Sequence, residues 1–86
     1  MNRKDLRKSL ENDLLRLYGP ILTGDALWRS LGYTSKEAFR QALSRGTVPV
    51  HIFSIQNRRG KFALAKDVAQ FLTEQRFLTQ SKEEDK

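Results

Sequence analysis

The sequence predicts an α+β chain, mainly α with one small β-hairpin, and three observations carry that expectation. Leucines recur at helical spacing before the Gly19-Pro20 pair, and two short helical segments meet across Gly32-Tyr33. A β-branched run after Gly46 is then followed by a turn and a second short apolar run. At 86 residues the chain is read as one domain, because a core of this size buries only about 60% of the unfolded surface and cannot be divided further. Its parts are an N-terminal amphipathic helix (1–20), a body (21–78) and a disordered tail (79–86).

From Asn2 to Tyr18 there is no proline or glycine, and Leu6, Leu10, Leu14, Leu17 and Tyr18 alternate with Arg, Lys, Asp and Glu. This is an amphipathic helix, stopped by a glycine suited to a left-handed cap and a proline that cannot continue it. Its leucine stripe either packs on the domain's own core or, through Leu6, Leu10, Leu14 and Leu17, forms a homodimer contact. Thr23 is the N-cap expected for a helix from Gly24 to about Ser30, with Asp25 complementing the dipole. Ala26, Leu27 and Leu31 face inward and Trp28 is partly covered. Gly32-Tyr33 breaks this helix, Thr34 or Ser35 caps the next, and Gly46 ends it. Two short helices joined by a glycine-containing turn are the sequence form of a helix-turn-helix.

Val48-Pro49-Val50-His51-Ile52-Phe53-Ser54-Ile55 reads as a strand entered through proline. Gln56 to Gly60 is a turn in which Asn57 and Gly60 can take positive φ, and Lys61 to Leu64 is the returning strand. A last helix spans roughly Ala65 to Phe77, with Val68, Ala69, Phe71, Leu72 and Phe77 inward and Asp67 near its start. From Thr79 the chain has no apolar content to bury, which predicts the disordered tail.

Composition excludes several classes. There is no cysteine and one histidine, so neither a disulfide framework nor a thiolate or histidine-cluster metal site is expected. Apolar runs fall far short of the roughly 20 residues that span a bilayer, and the polar start Met1 to Asp5 lacks a signal region. The reading is therefore a cytoplasmic protein with no membrane contact. Carboxylates are scattered, His51 has no nearby partner for nucleophile or metal duties, and no phosphate-binding glycine loop is present. No enzymatic activity, cofactor or small-molecule ligand is expected.

The net charge of +6 is unevenly distributed. Residues 1–28 carry +1 and residues 62–86 carry −1. Between them, Arg29, Lys36, Arg40, Arg45, Arg58, Arg59 and Lys61 are opposed only by Glu37, giving +6 over 33 residues. Such a block is a candidate phosphate-facing surface. If residues 35–45 are helical, Ala38, Phe39, Ala42 and Leu43 form the buried stripe, and Lys36, Glu37, Arg40, Gln41 and Ser44 occupy the other face. Arg40 suits guanine O6 and N7, and Gln41 suits adenine N6 and N7. Arg58 and Arg59 at the hairpin tip suit phosphates or a narrow minor groove. Tyr33, Thr34 and Ser35 offer hydroxyl and helix N-terminal contacts to a phosphate, although capping alone also accounts for Ser35.

The stretch Leu22 to Tyr33, followed by Ala38 to Ala42, Pro49-Val50, Arg58-Arg59-Gly60-Lys61-Phe62 and Asp67-Val68, resembles the small winged-helix proteins of the MerR-like, AlpA and phage-excisionase group. Its Pro-Val-hairpin portion is also similar to pyocin-activator-type phage regulators. The resemblance covers about residues 21–75 and implies a winged helix-turn-helix. It implies recognition-helix contacts for Lys36, Arg40 and Gln41 and wing contacts for Arg58, Arg59 and Lys61. The N-terminal leucine helix departs from the minimal pattern of that group.

Together these readings give sequence-specific binding of double-stranded DNA as a small phage- or plasmid-type transcription regulator or excisionase-like architectural factor, with a homodimer through the leucine helix as a further expectation. The alternative is a protein-interaction module that uses the leucine helix and the basic surface. RNA binding is a third reading, for which the sequence offers cations but no aromatic pair on a sheet face.

Overall fold

The computed structural model describes the backbone of residues 1–84 and the side chains of residues 1–79. Over that range the chain is α+β, with four helices and a two-stranded antiparallel sheet. Helix α1 spans Arg3–Tyr18 and begins where the Asp5 N–H donates to Asn2 Oδ1 at 2.8 Å, satisfying one of the donors that a helix start leaves free. It ends at Gly19, whose N–H donates to the Leu15 carbonyl.

Strand β1, Ile21–Thr23, follows at once. It pairs with β2, Phe62–Leu64, in the register Ile21 with Leu64, Leu22 with Ala63 and Thr23 with Phe62. Sequence reasoning expects β2 to pair with the Val48–Ile55 run, and the structure corrects this. That run forms no strand; its one ladder contact is an isolated bridge between Phe53 and Phe62, with reciprocal N–H···O bonds of 2.9 Å. The physical reason is burial. Leu22 and Ala63 are fully buried opposite each other, so β2 gains more by pairing with β1. Pro49 has no N–H for a ladder, and Val50 turns into the core. The segment after Pro49 therefore follows an irregular path until it touches β2 at Phe53.

Between the strands lie α2, Gly24–Ser30, and α3, Lys36–Arg45. Their limits match those expected. The Ala38 N–H donates to Ser35 Oγ at 3.0 Å, and Gly46 ends α3 in the left-handed conformation at φ 69°. Thr23 stands at the N-cap position of α2 but makes no cap bond with its side chain. Its hydroxyl donates instead to the Lys61 carbonyl at 2.8 Å, across the sheet. Tyr33 packs its ring on Phe39, 5.6 Å between centroids, and seals the turn between α2 and α3.

Helix α4 runs Ala65–Glu84, well past the expected end at Phe77. The disordered tail predicted from Thr79 is corrected to helix through residue 84; residues 85 and 86 lie outside the described residues. Gln, Lys and Glu all have good helix propensity, so lack of apolar content is no reason for a helix to stop there. Lys66 to Phe77 pack against α1 through Val68, Ala69 and Leu72, and Thr73, also buried, donates from Oγ1 to the Ala69 carbonyl at 2.8 Å. The two helices are antiparallel: Arg3 reaches Glu74 at 3.4 Å and lies over the Phe77 ring, while the Ala65 N–H donates to the Pro20 carbonyl.

This arrangement consumes part of the leucine stripe. Leu14 is buried and Leu10 packs against the same core. Leu6, Leu10, Leu14 and Leu17 thus do not form one free seam for a second copy. Only Leu17, 68% exposed, stands clear of the fold. Among the described residues no helix is long and apolar enough to cross a membrane.

The sheet makes a measurable claim. Leu22→Ala leaves a cavity at a fully buried site and should cost about 2–5 kcal/mol in urea unfolding. Thr23→Val keeps the side-chain shape, removes the bond to Lys61 and should cost about 1 kcal/mol.

Candidate nucleic-acid interface

Helix α3 fixes the geometry of the site. Phe39 and Ala42 are buried beneath it, and Ala38 and Leu43 are half-buried, so the inward stripe is the one its periodicity predicts. Lys36, Glu37, Arg40, Gln41, Ser44 and Arg45 are all exposed on the remaining face. The loop that follows Phe53 turns at Gln56-Asn57, where the Arg58 N–H donates to the Ile55 carbonyl. Asn57 at φ 63° and Gly60 at φ 101° both adopt the positive φ expected of them. Arg58, Arg59 and Lys61 are exposed along this loop.

The structure brings four of the expected site residues to one place. Lys36 and Arg40 from α3, and Arg59 and Lys61 from the loop, line an open groove of about 400 Å³. Gln41, Ser44 and Arg58 are exposed but do not line the groove. Tyr33 and Ser35 carry structural duties: the Tyr33 ring is part of the packing around Phe39, and Ser35 caps α3.

The groove lining that the sequence does not single out as contacts includes Thr23, Asp25 and Trp28. Trp28 is half-buried on α2, and its indole N–H donates to Asp25 Oδ1 at 3.1 Å. The Arg29 guanidinium carbon lies 5.2 Å from the Trp28 ring centroid, a cation–π distance. The sequence signal for Trp28 was its Asp25 neighbour three positions earlier, on the same side of one helical turn.

Arg7 pairs with Glu11, Arg16 with Asp13 and Arg3 with Glu74, while Lys4, Lys8, Lys66 and Arg76 form no ion pair among the described residues. On the central segment the one ion pair among the described residues is Arg40 with Glu37 at 3.3 Å, exposed on both sides. Arg29, Lys36, Arg45, Arg58, Arg59 and Lys61 have no carboxylate within ion-pair distance among the described residues. An exposed pair such as Arg40 with Glu37 is weak, leaving Arg40 free to exchange one anion for another.

His51 is exposed and stacks on Phe53 at 6.1 Å. Among the described residues no group of three or more His, Cys, Asp or Glu is placed to hold a metal ion. Comparison with protein-family models, with curated proteins and with solved structures finds no match to this chain.

The cap of α3 can be tested directly. Ser35→Ala removes the acceptor for the Ala38 N–H and should lower stability by about 1 kcal/mol, read from the urea midpoint. Asp25→Asn, by removing a carboxylate from the groove, should tighten binding of any polyanion severalfold at low salt, measured by fluorescence anisotropy.

Proposed function

We propose that this protein binds double-stranded DNA with sequence preference, as a winged helix-turn-helix of the kind found in small phage- or plasmid-type regulators and excisionase-like architectural factors. The observation that carries the reading is the gathering of cations on α3 and the 56–61 loop, in a segment of net +6 opposed only by Glu37, against flanking segments of +1 and −1. The order of elements supports it as well: helix, short strand, two helices joined by a tight turn, then a basic loop leading into a strand. On this reading the 56–61 loop is the wing, reduced to a single bridge at its base.

The chemistry follows from the exposed side chains. A major groove about 12 Å wide admits an α-helix, and α3 presents Arg40 and Gln41 on consecutive residues with no bulky apolar side chain between them. Arg40 donates to guanine O6 and N7, after leaving Glu37; Gln41 pairs with adenine N6 and N7. Each such contact contributes about 1–3 kcal/mol of discrimination. Lys36, Arg58, Arg59 and Lys61 meet phosphates and set register without reading sequence.

A second reading has one observation behind it. Leu17, Tyr18 and Ile21 are exposed at the end of α1 and the start of the edge strand, a small apolar surface suited to a protein partner. It requires no affinity for duplex DNA.

A gel-shift series with duplex DNA, structured RNA and increasing salt distinguishes these. If about six cations meet phosphates, log K should fall against log salt with a slope near −5; a slope near zero with intact folding rejects the DNA reading. Arg40→Ala should relax sequence preference, with a loss of about 1–3 kcal/mol confined to the preferred site. The double change Arg58→Ala and Arg59→Ala should weaken all sequences alike and reduce the slope by about 2. Identical effects of the two changes contradict the division of roles.

A further inference from the structure

The sheet that closes the fold has an open edge, and its hydrogen bonds fix what that edge presents. Phe62 exchanges both backbone bonds with Phe53, so its N–H and C=O point away from β1. Backbone groups alternate in direction along a strand. Ala63 therefore faces Leu22, and Ala65 faces Pro20, whose carbonyl accepts the Ala65 N–H at 2.8 Å. Ile21, between Pro20 and Leu22, turns its N–H and C=O the other way, outward from β1. Among the described residues no strand lies on that side.

The surroundings of this edge are apolar. Leu17, Tyr18 and Ile21 are exposed within five positions, and Leu17 to Gly24 holds no charged residue in a chain that is 30% charged. Natural edge strands are commonly blunted by lysine, or by a proline that removes an outward donor. Neither device acts here: Pro20 turns its backbone toward Ala65, on the β2 side, and leaves the outer edge intact.

We infer that β1 is a self-association edge. Two copies pair antiparallel about a two-fold axis at Ile21, each Ile21 N–H donating to the other copy's Ile21 carbonyl, and Leu17 and Tyr18 cover the flanks. The two sheets become one of four strands, β2-β1-β1-β2. A second copy is the occupant for two reasons. One residue that offers a donor and an acceptor side by side is complementary to itself under a two-fold rotation. Charge points the same way: a copy of net +6 is repelled by the block from Arg29 to Lys61, and meets least opposition at the uncharged stretch from Leu17 to Gly24. A standard interface buries about 800 Å² on each partner, more than three side chains and a three-residue strand supply, so the dimer is weak and reversible. This surface differs from the leucine stripe, whose Leu10 and Leu14 belong to the core. The inference is independent of the DNA-binding reading.

The full chain, free of nucleic acid, is measured by sedimentation velocity over a concentration series and by amide exchange in dilute and concentrated samples. The mass should rise from that of one chain toward twice that value. Association should hold or tighten as salt rises, because salt screens the repulsion between two basic copies, the reverse of the trend for DNA. Where about nine-tenths of the chain is dimeric, Ile21 amide exchange should slow about tenfold, since only the monomer exposes it. The Leu22 amide, which faces Ala63 in either state, should show no such change. Ile21→Lys places two like charges at the axis and should weaken association by more than about tenfold, with little change in the urea midpoint. Leu17→Lys, on α1 and outside the strand, should weaken it by about tenfold.

A single-chain mass at every concentration overturns the inference. So does a dimer in which Ile21 exchange is unchanged, because its contact lies elsewhere. A dimer that both substitutions leave intact overturns it as well. The two wild-type measurements decide the matter even where Ile21→Lys fails to fold. Failure of the gel shift with duplex DNA removes the DNA reading and leaves the dimer standing, and a monomer that still shifts DNA does the opposite.

Discussion

The pairing of Ile21–Thr23 with Phe62–Leu64 is the constraint on which the rest of this structure depends. It joins two segments separated by nearly half the chain, and the Thr23 hydroxyl fastens the same junction through the Lys61 carbonyl, 38 residues away. Closing so long a loop is entropically costly, although the cost grows only slowly with length. Burial of Leu22 and Ala63 opposite each other, both fully removed from solvent, offsets it. The helices on either side extend the clamp: α1 leads into β1, α4 leaves β2, and the two pack antiparallel with Pro20 and Ala65 hydrogen-bonded at the sheet end.

Everything basic in excess hangs from that clamp. The segment from Arg29 to Lys61 carries the whole net charge of the chain and lies inside the loop the sheet closes. Helix α3 is held to the body through Phe39, Ala42 and the Tyr33 turn. The 56–61 loop is held only at its two ends, by the Phe53 bridge and by β2. A well-packed helix keeps side chains in fixed register, as reading base edges requires. A loop tied at its base can follow a backbone whose exact path varies, as gripping phosphate requires. The difference in anchoring thus parallels the difference in proposed duty.

What could be read from sequence was what is local. The limits of α2 and α3, an α3 cap at Thr34 or Ser35, the left-handed Gly46 and the positive φ of Asn57 and Gly60 are each decided within four residues, and each was legible. The sheet was not. Ile21-Leu22-Thr23 is too short to show alternation, and the longer β-branched run after Gly46 drew the expectation of a hairpin that a distant strand displaced. Nor does a leucine stripe say which surface covers it: Leu10 and Leu14 are taken by α4, a choice made by a helix some fifty residues on. Charge was legible at the site, because the cations cluster in sequence. Its apolar floor was not, because Trp28 on α2 and Leu43 on α3 share a groove with Arg59 only once the sheet has brought the loop beside them.

Lys36 and Arg40 of α3 share the open groove with Arg59 and Lys61 of the loop. Burial of Trp28 and Leu43 would be completed if the 56–61 loop folded down onto α3, and apolar burial alone favours that closure. Closure would also drive Arg59 and Lys61 toward Lys36 and Arg40. Like charges brought within a few ångströms, over an apolar floor that screens them poorly, repel more strongly than exposed charges in water. Glu37 and Asp25 offset little of this, since one is bound to Arg40 at the surface and the other to the Trp28 indole. The two forces oppose each other across the same few residues. On the proposed DNA-binding reading, a polyanion entering the groove would relieve that repulsion.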